Sequence, residues 1–137
     1  MMMTWIKLYV FMVPVFFAID MVWLMLVAQK IYQKALGSLM APSFNWIAIL
    51  AFYFLYIGGI ILFAVQPALS KGSLPSVVFL GAAFGFLAYA TYDLTNLGTL
   101  RDWPISITMI DLAWGTTLTA LVATAGYFIA MWLGLKG

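Results

Sequence analysis

Four long apolar stretches alternate with short polar segments along the chain. The apolar stretches cover residues 5–27, 44–65, 76–93 and 105–133. Each is close to or above the length of about 20 residues that an α-helix needs to cross the hydrocarbon of a bilayer. The pattern therefore predicts an all-α membrane protein. We expect four transmembrane helices in one bundle, forming a single integral-membrane domain over residues 1–137.

Helix-breaking residues lie at the limits of these stretches. Ser43 is predicted to cap the second helix, and residues 67–75 contain the prolines and glycine of the turn into the third. Asp102 precedes a proline and is predicted to cap the fourth helix. Residues 29–40 are too polar to span a bilayer. They predict a short interfacial helix or loop between helices 1 and 2.

Composition narrows the class of protein further. Hydrophobic residues make up 66% of the 137 positions and charged residues only 7%. A soluble domain of this size has too much surface for its volume to hide so many apolar side chains, so the surrounding solvent must be lipid. Cysteine and histidine are absent, and the net charge is only +2. We therefore expect no metal site, no cofactor and no nucleic-acid partner.

Two of the four acidic residues lie inside predicted spans, each with a tryptophan three positions later. These elements are Asp20 with Trp23, and Asp111 with Trp114. Four spans place both termini on one side of the membrane, here called side A, with side B opposite. At 1.5 Å per residue both aspartates are expected roughly 10 Å below side B. A carboxylate at membrane depth costs roughly 2.5–3.5 kcal/mol on insertion scales, so two at one level predict a polar site.

Other polar groups of the predicted bundle lie toward the same side. Tyr53 and Tyr56 share a face of the second helix, and tyrosines recur at helical spacing on the third. We expect a carboxylate- and tyrosine-lined pocket that opens toward side B. Its candidate ligand-binding or proton-site residues are Asp20, Trp23, Tyr53, Tyr56, Tyr89, Tyr92, Asp93, Asn96, Arg101, Asp111 and Trp114.

For two residues near side B, the sequence predicts a role that is less specific. Arg101, the only arginine, is expected to pair with Asp93 or Asp102, although it would also suit a phosphate or carboxylate head. Trp103 is expected to be an interfacial anchor. The basic residues are divided three against three between the two sides, so the positive-inside rule gives no orientation.

Several short runs resemble a known family. They are Ala-Thr-Tyr-Asp-Leu-Thr-Asn at 90–96, Trp-Pro at 103–104, Asp-Leu-Ala-Trp-Gly at 111–115 and Phe-Tyr-Phe-Leu-Tyr at 52–56. Together they resemble the bacterial family of predicted membrane proteins catalogued as domain of unknown function 2177. The resemblance implies a polytopic membrane protein, with the bacterial inner membrane as its expected location. It implies no catalytic residues.

Three functions remain open on the sequence alone. The first is the binding or transport of a small polar-headed or lipid-like ligand, for which full alternating access by four spans would call for a homodimer. The second is a membrane enzyme that acts on a lipid or isoprenoid. The third is a structural or assembly subunit, in which each aspartate accepts the indole N–H of the tryptophan on the other helix. Membrane lipids are expected partners under all three.

Overall fold

Four long helices and no strand make up the protein. The computed structural model describes residues 1–137. The helices are α1 (Met2–Leu39), α2 (Trp46–Lys71), α3 (Leu74–Thr99) and α4 (Ile105–Trp132). By length and composition, each is able to cross a membrane. This confirms the prediction of an all-α protein with four membrane-spanning helices.

Helix α1 is much longer than the span predicted at residues 5–27. It has 38 residues, or about 57 Å at the usual helical rise, which is well beyond the roughly 30 Å hydrocarbon thickness. The segment predicted as separate is its direct continuation: an α-helix at Gln29–Leu36 and a short 3₁₀ turn at Gly37–Leu39. Hydropathy marks where a helix can leave the lipid, but the backbone hydrogen bonds continue past that point.

The continuation of α1 follows a π-helical turn at Leu24–Ala28. A π turn adds one residue to the helix and so changes which side chains lie on a given face. In a regular α-helix, with about 100° per residue, Tyr32 would lie about 120° around the helix axis from Asp20. The extra residue of the π turn reduces this angle to about 20°. We call the segment that follows, Gln29–Leu39, the α1 arm.

Helix α2 contains a second π turn, at Ile61–Val65, shortly before Pro67. Proline has no N–H to donate and its ring crowds the carbonyl four residues earlier, so a wider turn just before it relieves the clash. Asn45, rather than the predicted Ser43, caps this helix by accepting a hydrogen bond from the Ala48 N–H at 3.2 Å.

Helices α3 and α4 form the closest pair in the bundle. Added side-chain carbons at Gly81 and Gly85 would collide with α4, the first with Ala123 and the second with the Gly115 carbonyl. On the other side of the contact, Gly115 lies against the ring of Tyr89. Small residues allow such close approach of antiparallel helices.

Helix α4 contacts all three other helices and carries the largest set of buried residues. Both termini lie at one end of the bundle, as predicted, because the ring of Phe11 near the start of α1 contacts Trp132 at the end of α4, with centroids 5.9 Å apart. The interior toward this end is apolar, with Leu8, Met12 and Val122 fully buried.

The outer surface is also apolar, as a lipid-facing surface requires. Ile47, Leu55 and Phe79 are among many large hydrophobic side chains that are exposed. Exposed threonines satisfy their hydroxyl groups within their own helix. Thr91 and Thr117, for example, donate to the carbonyls four residues earlier at 2.7 and 2.8 Å. No hydroxyl of this kind needs a partner in the lipid.

The turn before α4 differs from the prediction. Pro104 is the capping residue of this helix and Asp102 does not cap it; Asp102 lies in the preceding turn with a φ of +62°. Trp103 is buried instead of anchoring at the interface, and its indole N–H donates to the Thr108 hydroxyl at 3.2 Å. The proline fixes the helix start, which leaves the two residues before it to make the turn.

Candidate functional site

The two Asp-x-x-Trp elements meet in the bundle interior. The rings of Trp23 and Trp114 stack with centroids 4.4 Å apart and planes 7° from parallel. The Asp20 carboxyl group lies beside the Tyr53 hydroxyl and the Trp114 indole. Although the Trp114 N–H is close to Asp20, it does not reach hydrogen-bond geometry and remains buried without a partner. Helices α1 and α4 therefore meet through stacked tryptophans beside a carboxylate.

Asp111 is held from the α1 arm. The hydroxyl of Tyr32 donates a hydrogen bond to its Oδ1 atom. Helical side chains lean toward the N-terminus of their helix, so Tyr32 reaches back along α1 from a level closer to side B. Asp111 therefore has a tyrosine partner in place of the Trp23 indole of the structural hypothesis, whereas Asp20 lies beside the Trp114 indole as that hypothesis expected.

Asp93 is the most isolated polar group of the chain. It is fully buried, and neither of its carboxyl oxygens has a hydrogen-bond partner. The packing of α3 on α4 shows which residues of α4 lie at the same depth as Asp93. Tyr89 lies against Gly115, and the two helices are antiparallel. One turn toward the end of α3 therefore corresponds to one turn toward the start of α4. This register places Asp93 level with Thr108 and Asp111.

Tyr89 lies near two of the three carboxylates, and the register of α3 against α4 places the third, Asp111, at the same level. Tyr89 lies within electrostatic range of Asp20 and Asp93 and of the hydroxyls of Tyr53 and Tyr56. We call the set Asp20, Tyr53, Tyr89, Asp93 and Asp111 the polar layer. Below it, the Tyr56 hydroxyl bonds that of Thr119 at 2.6 Å, which closes the layer toward side A.

Trp23, Tyr56 and Trp114 adjoin the polar layer, but three other predicted site residues do not. Tyr92 is 59% exposed and packs edge-on against Trp103, with centroids 5.7 Å apart. Arg101 is exposed and does not pair with Asp93, whose oxygens have no partner. Asn96 is half-buried, and its carbonyl accepts from the Leu100 N–H where α3 ends. The shared face of α3 was predicted from spacing, but Tyr92 is one residue before Asp93 and so points away from it.

Tyr32, Thr108 and Thr119 belong to the site's surroundings but are missing from the predicted set. Thr108 and Thr119 are recognisable from spacing, since they share the face of Asp111 on α4. Tyr32 is not, because its position depends on the π turn at Leu24–Ala28. Without that turn, helical spacing places it on a different face.

The three carboxyl groups of the polar layer are almost completely buried. Asp20, Asp93 and Asp111 are 4%, 0% and 7% exposed. A depression of about 580 Å³ lies at the opposite end of the protein, lined by residues that include Leu69 and Tyr127. On the side B face, Tyr32 of the α1 arm covers Asp111, and the predicted opening toward that side is not seen at this carboxylate.

Comparison with known proteins places the chain in a family. The model of the family DUF2177, described as a predicted membrane protein, matches residues 5–128. The chain belongs to this family. The matched region includes the whole polar layer and the α1 arm, and it confirms the resemblance seen in the sequence runs. No match was found among curated proteins or among solved structures.

Proposed function

We propose that this integral membrane protein binds a small polar-headed or lipid-like ligand in the polar layer, within the cell membrane of a bacterium. The ligand head would lie among Asp20, Asp93 and Asp111, with the tyrosine hydroxyls as further hydrogen-bonding groups. Transport of the ligand across the membrane is the natural extension of this proposal. It would require a homodimer, because alternating access uses two halves that move against each other and one bundle of four helices supplies only one half.

One observation carries the proposal: the buried Asp93 carboxyl group has no partner. Buried polar groups in folded proteins are nearly always hydrogen-bonded, and each exception calls for an explanation. Charged groups at membrane depth are rarer still, and they mark ligand or ion pathways by default. A ligand that donates to Asp93 would supply the missing partner.

The same observation separates binding from a purely structural role. A carboxylate that only ties helices together would accept hydrogen bonds from a neighbouring helix. Asp111 has such a bond with Tyr32, but Asp93 has none. A packing role would therefore explain Asp111 and leave Asp93 without an explanation.

Access to the layer would follow from movement of the α1 arm. Tyr32 covers Asp111 from side B, and the π turn at Leu24–Ala28 lies directly before the arm. Such turns frequently occur at functional sites in helices. In this proposal, release of Tyr32 from Asp111 opens the layer toward side B and its return closes the layer around the ligand.

Mass spectrometry of released small molecules tests the proposal. The full chain is purified in a neutral detergent and denatured, and the extract is compared between wild type, Asp93→Asn and Asp102→Asn. Asp102 is the matched control, because it is an exposed aspartate in a turn. We expect wild type and Asp102→Asn to release the same molecule in near-stoichiometric amount, and Asp93→Asn to release at least about tenfold less.

Two outcomes would overturn the proposal. In the first, folded wild-type protein from several membrane sources releases nothing beyond bulk phospholipid. In the second, Asp93→Asn, checked for folding by its thermal transition, retains the same molecule in the same amount. If Asp93→Asn does not fold, Asp20→Asn takes its place, since Asp20 belongs to the same layer.

A further inference from the structure

Acidic and basic side chains are distributed differently between the interior and the surface of the bundle. Three of the four acidic residues are buried: Asp20, Asp93 and Asp111. All six basic side chains are exposed, namely Lys7, Lys30, Lys34, Lys71, Arg101 and Lys136. The interior therefore contains three carboxyl groups and no cationic side chain to balance them.

We infer that the ligand of the polar layer is an organic cation, a primary or quaternary ammonium, and this inference rests on the proposed function. An anionic head would add negative charge to a site that already lacks a counter-charge, at a large cost in a medium of low dielectric constant. A cationic head would supply the missing counter-charge, and a primary ammonium would also donate an N–H to Asp93, which a quaternary ammonium cannot do.

The spacing of the carboxylates favours an organic cation over a metal ion. No three acidic side chains of the chain are grouped closely enough to hold one metal ion. Asp20 and Asp93 both lie near Tyr89 but belong to different helices, and no third carboxylate joins them in one cluster. Carboxylates separated in this way would surround a larger cation, whose charge is spread over several atoms, instead of converging on a single point.

The walls of the layer suit the same class of ligand. Trp23 and Trp114 stack on each other beside Asp20, so each ring covers only one face of the other. Aromatic faces attract ammonium groups through their electron-rich π systems, and tryptophan does so most strongly. Quaternary ammonium ions are recognised by such aromatic walls, with carboxylates nearby to balance the charge.

Calorimetric titration of the purified full chain tests the inference. In dodecyl maltoside, the protein is titrated with tetramethylammonium and ethylammonium, and with sodium and acetate as the inorganic and anionic comparisons. We expect saturable binding of at least one ammonium ion and none of acetate. Sodium should bind at least about tenfold more weakly, and Asp93→Asn should weaken ammonium binding by about tenfold or more. Asp102→Asn should bind as wild type does.

Several results would overturn the inference. They are no saturable binding of either ammonium ion, equal binding of sodium, binding of acetate, or ammonium binding that Asp93→Asn leaves unchanged. Asp20→Asn replaces Asp93→Asn if the latter does not fold. If mass spectrometry finds an acidic or uncharged molecule whose retention depends on Asp93, the cation inference fails while the proposed binding function stands. If the folded protein neither releases nor binds a ligand, both fail.

Discussion

Asp93 is the residue on which the functional account depends. Its carboxyl group is fully buried beside helix α4, and both oxygens lack a partner. Asp20 and Asp111, at a similar depth, are close to a hydroxyl group of Tyr53 or Tyr32. A buried acceptor without a donor lowers the stability of the ligand-free protein, and residues at functional sites commonly carry such a cost.

Replacement of Asp93 by leucine should stabilise the ligand-free protein. Leucine has the same branched side chain of four heavy atoms and needs no hydrogen bond, so the free energy of unfolding should rise by about 1–3 kcal/mol. Denaturant unfolding in detergent measures the change. Asp102→Asn, at the exposed aspartate, should stay within about 0.5 kcal/mol of wild type. A clear loss of stability in Asp93→Leu would mean that the carboxyl group has a structural partner after all.

At the scale of the elements, the π turn in α1 and the glycine-lined contact between α3 and α4 determine the site. The π turn brings Tyr32 onto the face of Asp20 and so over Asp111. The close contact between α3 and α4 brings Asp93 to the level of Asp111, since Gly85 and Gly115 admit no larger side chain. One element covers the polar layer, and the other assembles it.

Tyr32→Phe should loosen the α1 arm without unfolding the bundle. The variant removes the hydroxyl that bonds Asp111 and leaves the ring in place. Hydrogen–deuterium exchange should show faster exchange of backbone amides over residues 29–39, with α3 and α4 unchanged. Tyr92→Phe is the control, because Tyr92 is exposed and its hydroxyl makes no comparable bond. Unchanged exchange in the arm would show that Tyr32 does not hold it.

Gly85→Ala should destabilise the bundle. An added methyl group at this position would meet the Gly115 carbonyl and the Thr119 side chain, and overpacking of this kind typically costs about 1–3 kcal/mol. Gly98→Ala, on the same helix, meets nothing within 4 Å and should be neutral or stabilising by up to about 1 kcal/mol. Thermal unfolding of the two variants in detergent gives the comparison. Equal stability would contradict the close packing of α3 on α4.

At the scale of the whole molecule, the bundle is divided into a dry half and a polar half. Toward the termini the interior is apolar, while every buried carboxyl group lies in the half toward side B. The exterior is apolar over both halves, as a membrane protein requires. The division gives the protein one polar layer that is nearer to one membrane surface than to the other.

Labelling of single introduced cysteines should reveal this topology. The chain has no cysteine, so each introduced thiol is the only target. In sealed vesicles, Met2→Cys and Lys136→Cys should be labelled by a membrane-impermeant maleimide from one side, and Asp102→Cys from the other. Labelling of all three positions from the same side would contradict four membrane-spanning helices.

Much of the fold follows from the sequence, because hydropathy and helix-breaking residues depend on local composition. The four spans, the shared side of the termini and the meeting of the two Asp-x-x-Trp elements were all predicted. The length of α1 was not, since the polarity of residues 29–40 indicates an exit from lipid and does not indicate a broken helix.

Details of the site depend on interactions that single-sequence patterns do not contain. The position of Tyr32 results from a π turn without a proline or glycine inside it. Trp103 is buried with its N–H bonded to Thr108, and Asp93 is buried where α3 packs on α4, with no donor within reach. Spacing on one helix predicted the carboxylates, but not which of them would have partners.

The most direct test of the central claim is an infrared difference spectrum of the protein with and without the molecule that wild type releases on denaturation. If that molecule binds at Asp93, its addition should change a carboxyl or carboxylate band in wild type and in Asp102→Asn, and the change should be absent in Asp93→Asn. An identical difference spectrum in all three proteins, or no carboxyl change in wild type, would contradict the assignment of the polar layer as the binding site.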